Sequence, residues 1–547
     1  MSTHLLPPRF GGAVATPHVL ATEAAEAVLA EGGSAIDAAI TAAAVLTVVY
    51  PHNVALGGDL IALVRSPDGQ MRCVNASGRA PQAQTAERLR ALHGDRVPAR
   101  GVDAITIPGG VRGWDVLHGL GGRLPWSRSF DAAIAHAEQG VPVPRDLARN
   151  IGPARHLLLA DPGAGPIFVP RGSPLQLGES LRQPRLAETF RRLQRNGAHD
   201  FYSGGIARQL VTGLQARGSV ATLEDFARQD ATLDDALSGA FGALTVHTSG
   251  PNTQGFLVLR ALAAVQSEQL HDPLGAGLGR LMSIFLDGNA IRDALLADPE
   301  YADVDLARLL DPNSKQEHPS PAPLRPGNPT RPDNPTRPDN PTRPDNPTRP
   351  GTPRATGDTV GIAVLDRDGQ AVSLIQSVYW AFGSGVLEPE TGVLFHNRGT
   401  SFSLDAASPN VIAPGKRPRH TLMPVIVTEG DATRFVLAAQ GGQGQPQVHA
   451  QLLLRLQSGD VGGAVDAPRA IIGVSDDGES GDTVFVEESV EESALASIRH
   501  HGLPVRMVPD LGDLVGQANA IAVAAGDGVV TAASDPRADG SAVVLVR

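Results

Sequence analysis

A threonine at the mouth of a well-marked hairpin is where this chain could do chemistry. Gly357 to Gly385 reads GDTVGIAVLDRDGQAVSLIQSVYWAFGSG. Val360, Ile362 and Val364, then Val372 and Leu374, alternate with the period of two that a buried strand shows. Asp366-Arg367-Asp368-Gly369 between them is hairpin-turn chemistry, with the glycine supplying a positive φ. Cutting the bond before Thr359 would put a nucleophilic hydroxyl and a free amine on one residue, as an N-terminal threonine nucleophile requires. The neutral α-amine, with an unperturbed pKa of about 8, can take the hydroxyl proton directly or through water. Attack on an amide also needs donors for the oxyanion. Gly441 and Gly442 stand in the loop QGGQGQPQ at the start of a helix, where bare backbone N–H groups can converge on an anion.

The elements that must position these groups are legible in outline. Thr22–Leu29 reads as a helix stopped by Glu31-Gly32-Gly33, and Ser34 with Asp37 makes a capping box for an almost wholly apolar helix over 35–50. Strands follow at 60–65 and 71–75, so the opening reads helix, helix, hairpin. The loop NASGRAP after it holds Arg79, a ligand candidate because loops at strand ends favour contacts. A mainly helical stretch runs to about residue 215, and the turn Thr248–Gly255 opens a helix over 256–266. That turn precedes a helix as an anion loop would, but lacks the Gly-Lys-Ser/Thr ending that binds phosphate. Beyond the hairpin, strands are expected at 392–395, 435–438, 482–486, 520–531 and 541–546, with helices at 448–457 and 489–499. Short strands bracketed by helices favour a stacked α+β design over a (β/α)8 barrel.

Residues 312–358 form a separate region. The hexamer NPTRPD repeats from Asn328, and prolines fall at every third position from Pro329 to Pro353. That spacing suits a polyproline II spacer, and it divides the chain into parts 1–311 and 359–547.

Composition excludes other classes. The 547 residues exceed one ordinary core, and a net charge of -12 argues against nucleic-acid partners. The one cysteine, Cys73, rules out an internal disulfide or a thiolate metal cluster. No metal spacing such as His-Glu-x-x-His occurs among the 16 histidines, and no motif calls for a cofactor. The Gly-x-Ser-x-Gly elbow is incomplete at Gly383–Gly385, and no dinucleotide fingerprint opens a helix. The chain shows no signal pattern or membrane span, so a soluble cytoplasmic protein is expected.

Taken together, GGSAIDAAITAAAVLTVVYPHNVALGGD (32–59), the segment from Asp358 to Gly385, PGKRPRHTLMP, DAPR (466–469) and SDPRADG (534–540) resemble the gamma-glutamyltransferase family of self-processing N-terminal-nucleophile hydrolases. The resemblance implies a four-layer αββα sandwich. It places the nucleophile at Thr359, the self-cleaved bond at Asp358–Thr359, and the nucleophile's hydroxyl partner at Ser377, where the family usually has threonine. It puts part of the oxyanion hole at Gly441 and Gly442, and the first residue of a substrate-side Ser-Ser pair at Thr421. The implied mechanism is an acyl ester on Thr359, released to water or an acceptor amine. The large and small fragments are expected to stay together, and the sequence is compatible with a higher oligomer without fixing one.

The departures from the family redirect the substrate. Ser77 stands where better-known members grip a carboxylate with arginine, and Arg79 is displaced by two. Tyr379 replaces a substrate-binding asparagine. Ser401 replaces the aspartate that meets the substrate ammonium, removing a contact of roughly 1.5–3 kcal/mol. Leu422 replaces the second serine of the pair. Arg79, Arg398 and His420 are candidates for a pocket that takes an anionic substrate, with Tyr379 and Trp380 as its wall. The combination NASGRAP, SLIQSVYWAFGSG, HNRG, RHTLMP and GQGQPQ resembles the oxamate amidohydrolase-like and uncharacterised transferase-like branch, so cleavage of a small carboxylate-bearing amide is expected. Gamma-glutamyl transfer or hydrolysis, including of glutathione, β-lactam side-chain acylation, and an unprocessed binding or scaffold protein are the alternatives.

Overall fold

The computed structural model describes residues 6–7, 9–316, 358–473 and 481–546. The proline repeat lies outside the described residues, as does the rest of the expected linker except 312–316 and Asp358.

Two antiparallel sheets stack face to face. The first runs in the order Ser541–Val546, Phe10–Thr16, Asp358–Asp366, Ala371–Tyr379, Asp59–Arg65, Met71–Ala76, Thr232–Asp235. The second runs Val530–Ser534, Gln517–Val523, Ala432–Gln440, Val425–Glu429, Leu244–Thr248, Leu237–Phe241. Between them lies a thin apolar layer that includes Ile61, Leu63, Ala363, Ile375, Val436, Ala438 and Ile521. The opposite faces are covered by helices. Val360, Ile362 and Val364 pack with the helix Ala35–Val49 over the first sheet. Leu437 and Ala439 pack with Phe256–Ser267, Leu278–Leu295 and Gln445–Leu456 over the second. This is the expected α+β, αββα four-layer sandwich. Strands from both sides of the expected cut share each sheet, so 1–311 and 359–547 form one body.

The hairpin follows its sequence. Asp358–Asp366 pairs with Ala371–Tyr379 through a turn at Gly369, whose φ is +86°. The Asp366 carboxylate accepts from the Asp368 and Gln370 N–H groups at 2.9 Å and from Ala35 N–H at 3.3 Å, joining the turn to the apolar helix. Ser34 and Asp37 form the reciprocal cap, and every residue of that 15-residue helix is buried, as an apolar helix between layers must be.

Three expectations are corrected. A strand, Phe10–Thr16, precedes the first helix, so the opening is strand, helix, helix, hairpin. Strands also occupy 232–248, where none was expected. The segment 520–531 is two strands, Gln517–Val523 and Val530–Ser534, because Gly526-Asp527-Gly528 supplies a turn, with Gly528 at φ +70°. Among the described residues, no helix is long and apolar enough to cross a membrane.

Candidate active site

Thr359 is the second residue of its strand and lies directly opposite Ser377. Its Oγ1 donates to Ser377 Oγ at 3.1 Å, and both residues are 1% exposed. Ser377 Oγ also accepts from Tyr379 N–H at 2.7 Å. The ladder slips between Ser377 and Tyr379, a bulge that leaves Tyr379 at φ +81°. Such a conformation is unfavourable for a bulky residue and marks a place where the backbone is held. Val378 N–H donates to Asn53 carbonyl at 3.0 Å, Asn397 N–H to Val378 carbonyl at 3.2 Å, and Trp380 N–H to Asn397 Oδ1 at 3.2 Å.

The bulge turns the Tyr379 ring under Arg398, whose guanidinium carbon lies 3.7 Å from the ring centroid. Arg398 donates to Thr421 Oγ1 at 3.1 Å and to Ser401 Oγ at 3.4 Å. It is 1% exposed, and no carboxylate lies within ion-pair distance among the described residues. Burial lowers its pKa to about 10, which leaves it cationic at neutral pH. Tyr379 also stacks on Trp380 at 5.6 Å between centroids. Arg100 lies 5.7 Å over the Trp380 ring.

Asp59, opposite Ser377 on the other side, ties these segments together. His420 Nδ1 accepts from Leu422 N–H at 3.2 Å. Its Nε2 therefore carries the proton and donates to Asp59 Oδ2, also at 3.2 Å. His396 Nδ1 stands 3.4 Å from the same oxygen, and Gly109 N–H donates to Oδ1 at 3.2 Å. Burial raises the Asp59 pKa, but His396 and His420 outweigh it and hold the carboxyl well below its usual range. Burial, then the charge of Arg398, lowers His420 to about 4 against the pull of Asp59, so it is neutral at neutral pH.

The glycine loop follows the strand Ala432–Gln440. Gly441 has φ +146° and Gly442 φ +52°, conformations open to glycine. Among the described residues neither N–H meets an acceptor, so both donors remain for a ligand. Gln254 Nε2 donates to Gly442 carbonyl at 2.8 Å and to Thr421 carbonyl at 2.9 Å. Its Oε1 accepts from Arg292 at 3.2 Å. The polar turn Ser249–Gly255 thus clamps the glycine loop to the pocket loop.

Contacts therefore link Thr359, Ser377, Tyr379, Arg398, Ser401, Thr421 and His420, with Gly441 and Gly442 joined through Gln254. Arg79 stands apart. Its guanidinium meets Asp230 at 3.1 Å, Glu300 at 2.9 and 3.0 Å, and Gly415 carbonyl at 3.2 Å, and none of its contacts reaches that group. Asp358 begins the strand at the junction with Thr359. Cys73 is buried in the core. Among the described residues no group of three or more His, Cys, Asp or Glu side chains is placed to hold a metal.

Sequence reasoning missed Asp59, His396, Asn397 and Gln254. Asp59 carried a signal, a carboxylate opening an otherwise apolar strand after Gly-Gly; Gln254 carried none beyond its polar turn.

A buried threonine at a strand start, in a stack of two sheets with helices outside, is the arrangement of the N-terminal-nucleophile hydrolases, enzymes that cleave or transfer amide-linked acyl groups. Comparison with known proteins places the chain within that class. The family model for Gamma-glutamyltranspeptidase matches residues 21–545, and the chain belongs to this family. It is 35% identical over 541 residues to the oxamate amidohydrolase proenzyme of Klebsiella pneumoniae, covering 97% of this chain and 98% of that one. It is 34% identical over 554 residues to the glutathione hydrolase-like YwrD proenzyme of Bacillus subtilis, with coverage of 97% and 98%. Cephalosporin acylase from Bacillus halodurans superposes with a TM-score of 0.85 at 28% identity, over 99% of this chain and 97% of that one. The chain is a self-processing hydrolase of this family.

Proposed function

We propose that the protein cuts a small carboxylate-bearing amide, of the oxamate type, through an acyl ester on Thr359. One observation carries the reading: Arg398 is a fully buried cation with hydroxyl and ring partners but no acid within ion-pair distance among the described residues. Burying an uncompensated charge is costly, and an anionic ligand relieves that cost. Similarity to the oxamate amidohydrolase proenzyme of Klebsiella pneumoniae supports the same class.

In this reading maturation comes first. Thr359 Oγ1 attacks the Asp358 carbonyl carbon, the carbon–nitrogen bond breaks as the acyl group moves to oxygen and frees the α-amine, and water then cuts the ester to release the Asp358 carboxylate and restore the hydroxyl. Turnover repeats the chemistry on substrate. The carboxylate docks on Arg398 beside Ser401 and Thr421, with Tyr379 beneath. Thr359 Oγ attacks the amide carbonyl and its proton passes to the α-amine. The Gly441 and Gly442 N–H groups take the oxyanion. The carbon–nitrogen bond breaks as the leaving nitrogen collects the proton, and water then releases the acid. Ser377 holds the nucleophile, and His420 with Asp59 holds the Thr421 side of the pocket. Arg79, occupied by Asp230 and Glu300, has no part in this scheme.

The test is a panel of oxamate, glutathione and a γ-glutamyl anilide given to matured protein. Preferred cleavage of oxamate, with an Arg398→Ala variant raised in KM for it, is the expected result. Preference for the γ-glutamyl compounds, or an unchanged KM, would overturn the substrate assignment.

A further inference from the structure

Three carboxamides stand side by side on the inner face of the second sheet. Gln440 pairs with Gln517 across the ladder, and Ala438 pairs with Asn519. Val436, Ala438 and Ile521 point into the layer between the sheets. Alternation along each strand points Gln440, Gln517 and Asn519 the same way. They are 5%, 1% and 2% exposed. Gln440 Oε1, Gln517 Oε1 and Asn519 Oδ1 are all buried without a hydrogen-bond partner among the described residues. Leaving a buried acceptor unmet is costly, so three together call for a donor.

The stacking of the sheets says where that donor stands. Ser373, the ladder partner of Ala363, donates from Oγ to Leu437 carbonyl at 2.6 Å. Two residues nearer the strand start, a Cβ on Gly361 would stand 2.8 Å from the Ala438 carbonyl carbon. Moving from Ala363 to Gly361 thus follows Leu437 to Ala438, and the next steps reach Thr359 on one sheet and Gln440 on the other. Asn519 Nδ2 donates to Gly361 carbonyl at 2.9 Å. The neighbouring strand Phe10–Thr16 pairs with the nucleophile strand only from Ala363 onward. Among the described residues that strand therefore gives Thr359 no ladder partner on this side.

We propose that Gln517 and Gln440, with Asn519 next to them, seat the α-amine that cleavage creates on Thr359. The proposal rests on Thr359 as the nucleophile. The uncut bond offers one N–H; the freed amine offers two or three donors to the three waiting oxygens. A carboxamide accepts these bonds without titrating. The amine thus stays free to take the Thr359 hydroxyl proton as the new carbon–oxygen bond forms, and to return it to the leaving nitrogen as the carbon–nitrogen bond breaks. A carboxylate here would favour the ammonium and silence the base. The charged and titratable groups around this end are Asp59, His396 and His420, then Arg398 and Tyr379, and behind Gln517, Arg537 and Asp535.

The α-amine pKa can be read without substrate, by competitive acetic anhydride labelling of the Thr359 peptide across pH. Oxamate turnover gives the pH–rate profile beside it. Gln517→Glu should raise the labelling pKa and move the acid limb of kcat/KM upward by about one unit. Gln517→Leu should lower kcat tenfold or more with KM held within about twofold. The same substitutions at Gln440 repeat the test if position 517 tolerates no change. Variants that mature normally yet keep the wild-type labelling pKa overturn the seat. A wild type that carries a Thr359 terminus but ignores oxamate overturns only the substrate reading, because labelling still decides the seat. A chain that never yields that terminus overturns both.

Discussion

Arg398 and Arg537 are buried to the same degree, each 1% exposed, and differ in the company they keep. Arg537 meets Glu487 at 2.5 Å and Asp535 at 3.0 Å. Its neighbour Arg469 meets Asp535 at 2.7 Å and donates to Gly516 carbonyl at 3.0 Å. Those two arginines are neutralised, and Arg469 braces the backbone at Gly516, which packs against Gly441. Arg398 has a ring, two hydroxyls and a more distant Asp59 whose charge is shared with His420. One arrangement is neutral by itself; the other leaves a positive charge that a bound anion would balance. Burial alone does not separate a structural arginine from a binding one. The local charge balance does.

That contrast can be broken experimentally. Arg537→Met leaves buried Glu487 without its arginine and Asp535 with Arg469 alone, so unfolding titrations should show a loss of about 3–5 kcal/mol, with KM for oxamate unchanged in the protein that folds. Arg398→Met strands no acid, so stability should hold while KM rises about 10- to 100-fold, the value of a charge-assisted contact. Equal stability losses in the two variants would erase the distinction. Ser401→Asp gives Arg398 the acid that Arg537 already has. KM for oxamate should then rise about tenfold, and a γ-glutamyl anilide should gain relative to it in side-by-side rates.

The smallest effect is on pH dependence. Burial, the leading cause in each case, lowers the pKa of His18 and His420 to about 4 and of His449 to about 3. Each binds its proton more readily unfolded, where the pKa is about 6.5. Their neutral forms therefore cost nothing above that pH, and stability should fall as pH drops from about 6.5 towards 4. Urea midpoints at pH 7.5 and 5 measure this. His449→Gln should reduce the difference between the two.

The hairpin, the cap at Ser34 and the glycine loop were legible because each is a local pattern: alternation, a three-residue spacing, a run of glycines. The strand Phe10–Thr16 was not, since FGGAVAT has two glycines and no strong alternation, and its pairing with Ser541–Val546 lies at the far end of the chain. Arg79 illustrates the same limit. Its loop suggested a ligand, but its acids lie 151 and 221 residues away. Asp59 was visible as a motif residue, yet its role depends on His396 and His420 arriving from another part of the chain. Local rules place a nucleophile on a strand; the pocket beside it is made by contacts between segments far apart in sequence.

N-terminal sequencing with intact mass on freshly purified wild type, beside Thr359→Ala, tests the account at its centre. Two fragments in the wild type, the smaller beginning at Thr359 and absent from the variant, are the predicted result. A wild-type chain that stays whole after prolonged incubation would contradict it.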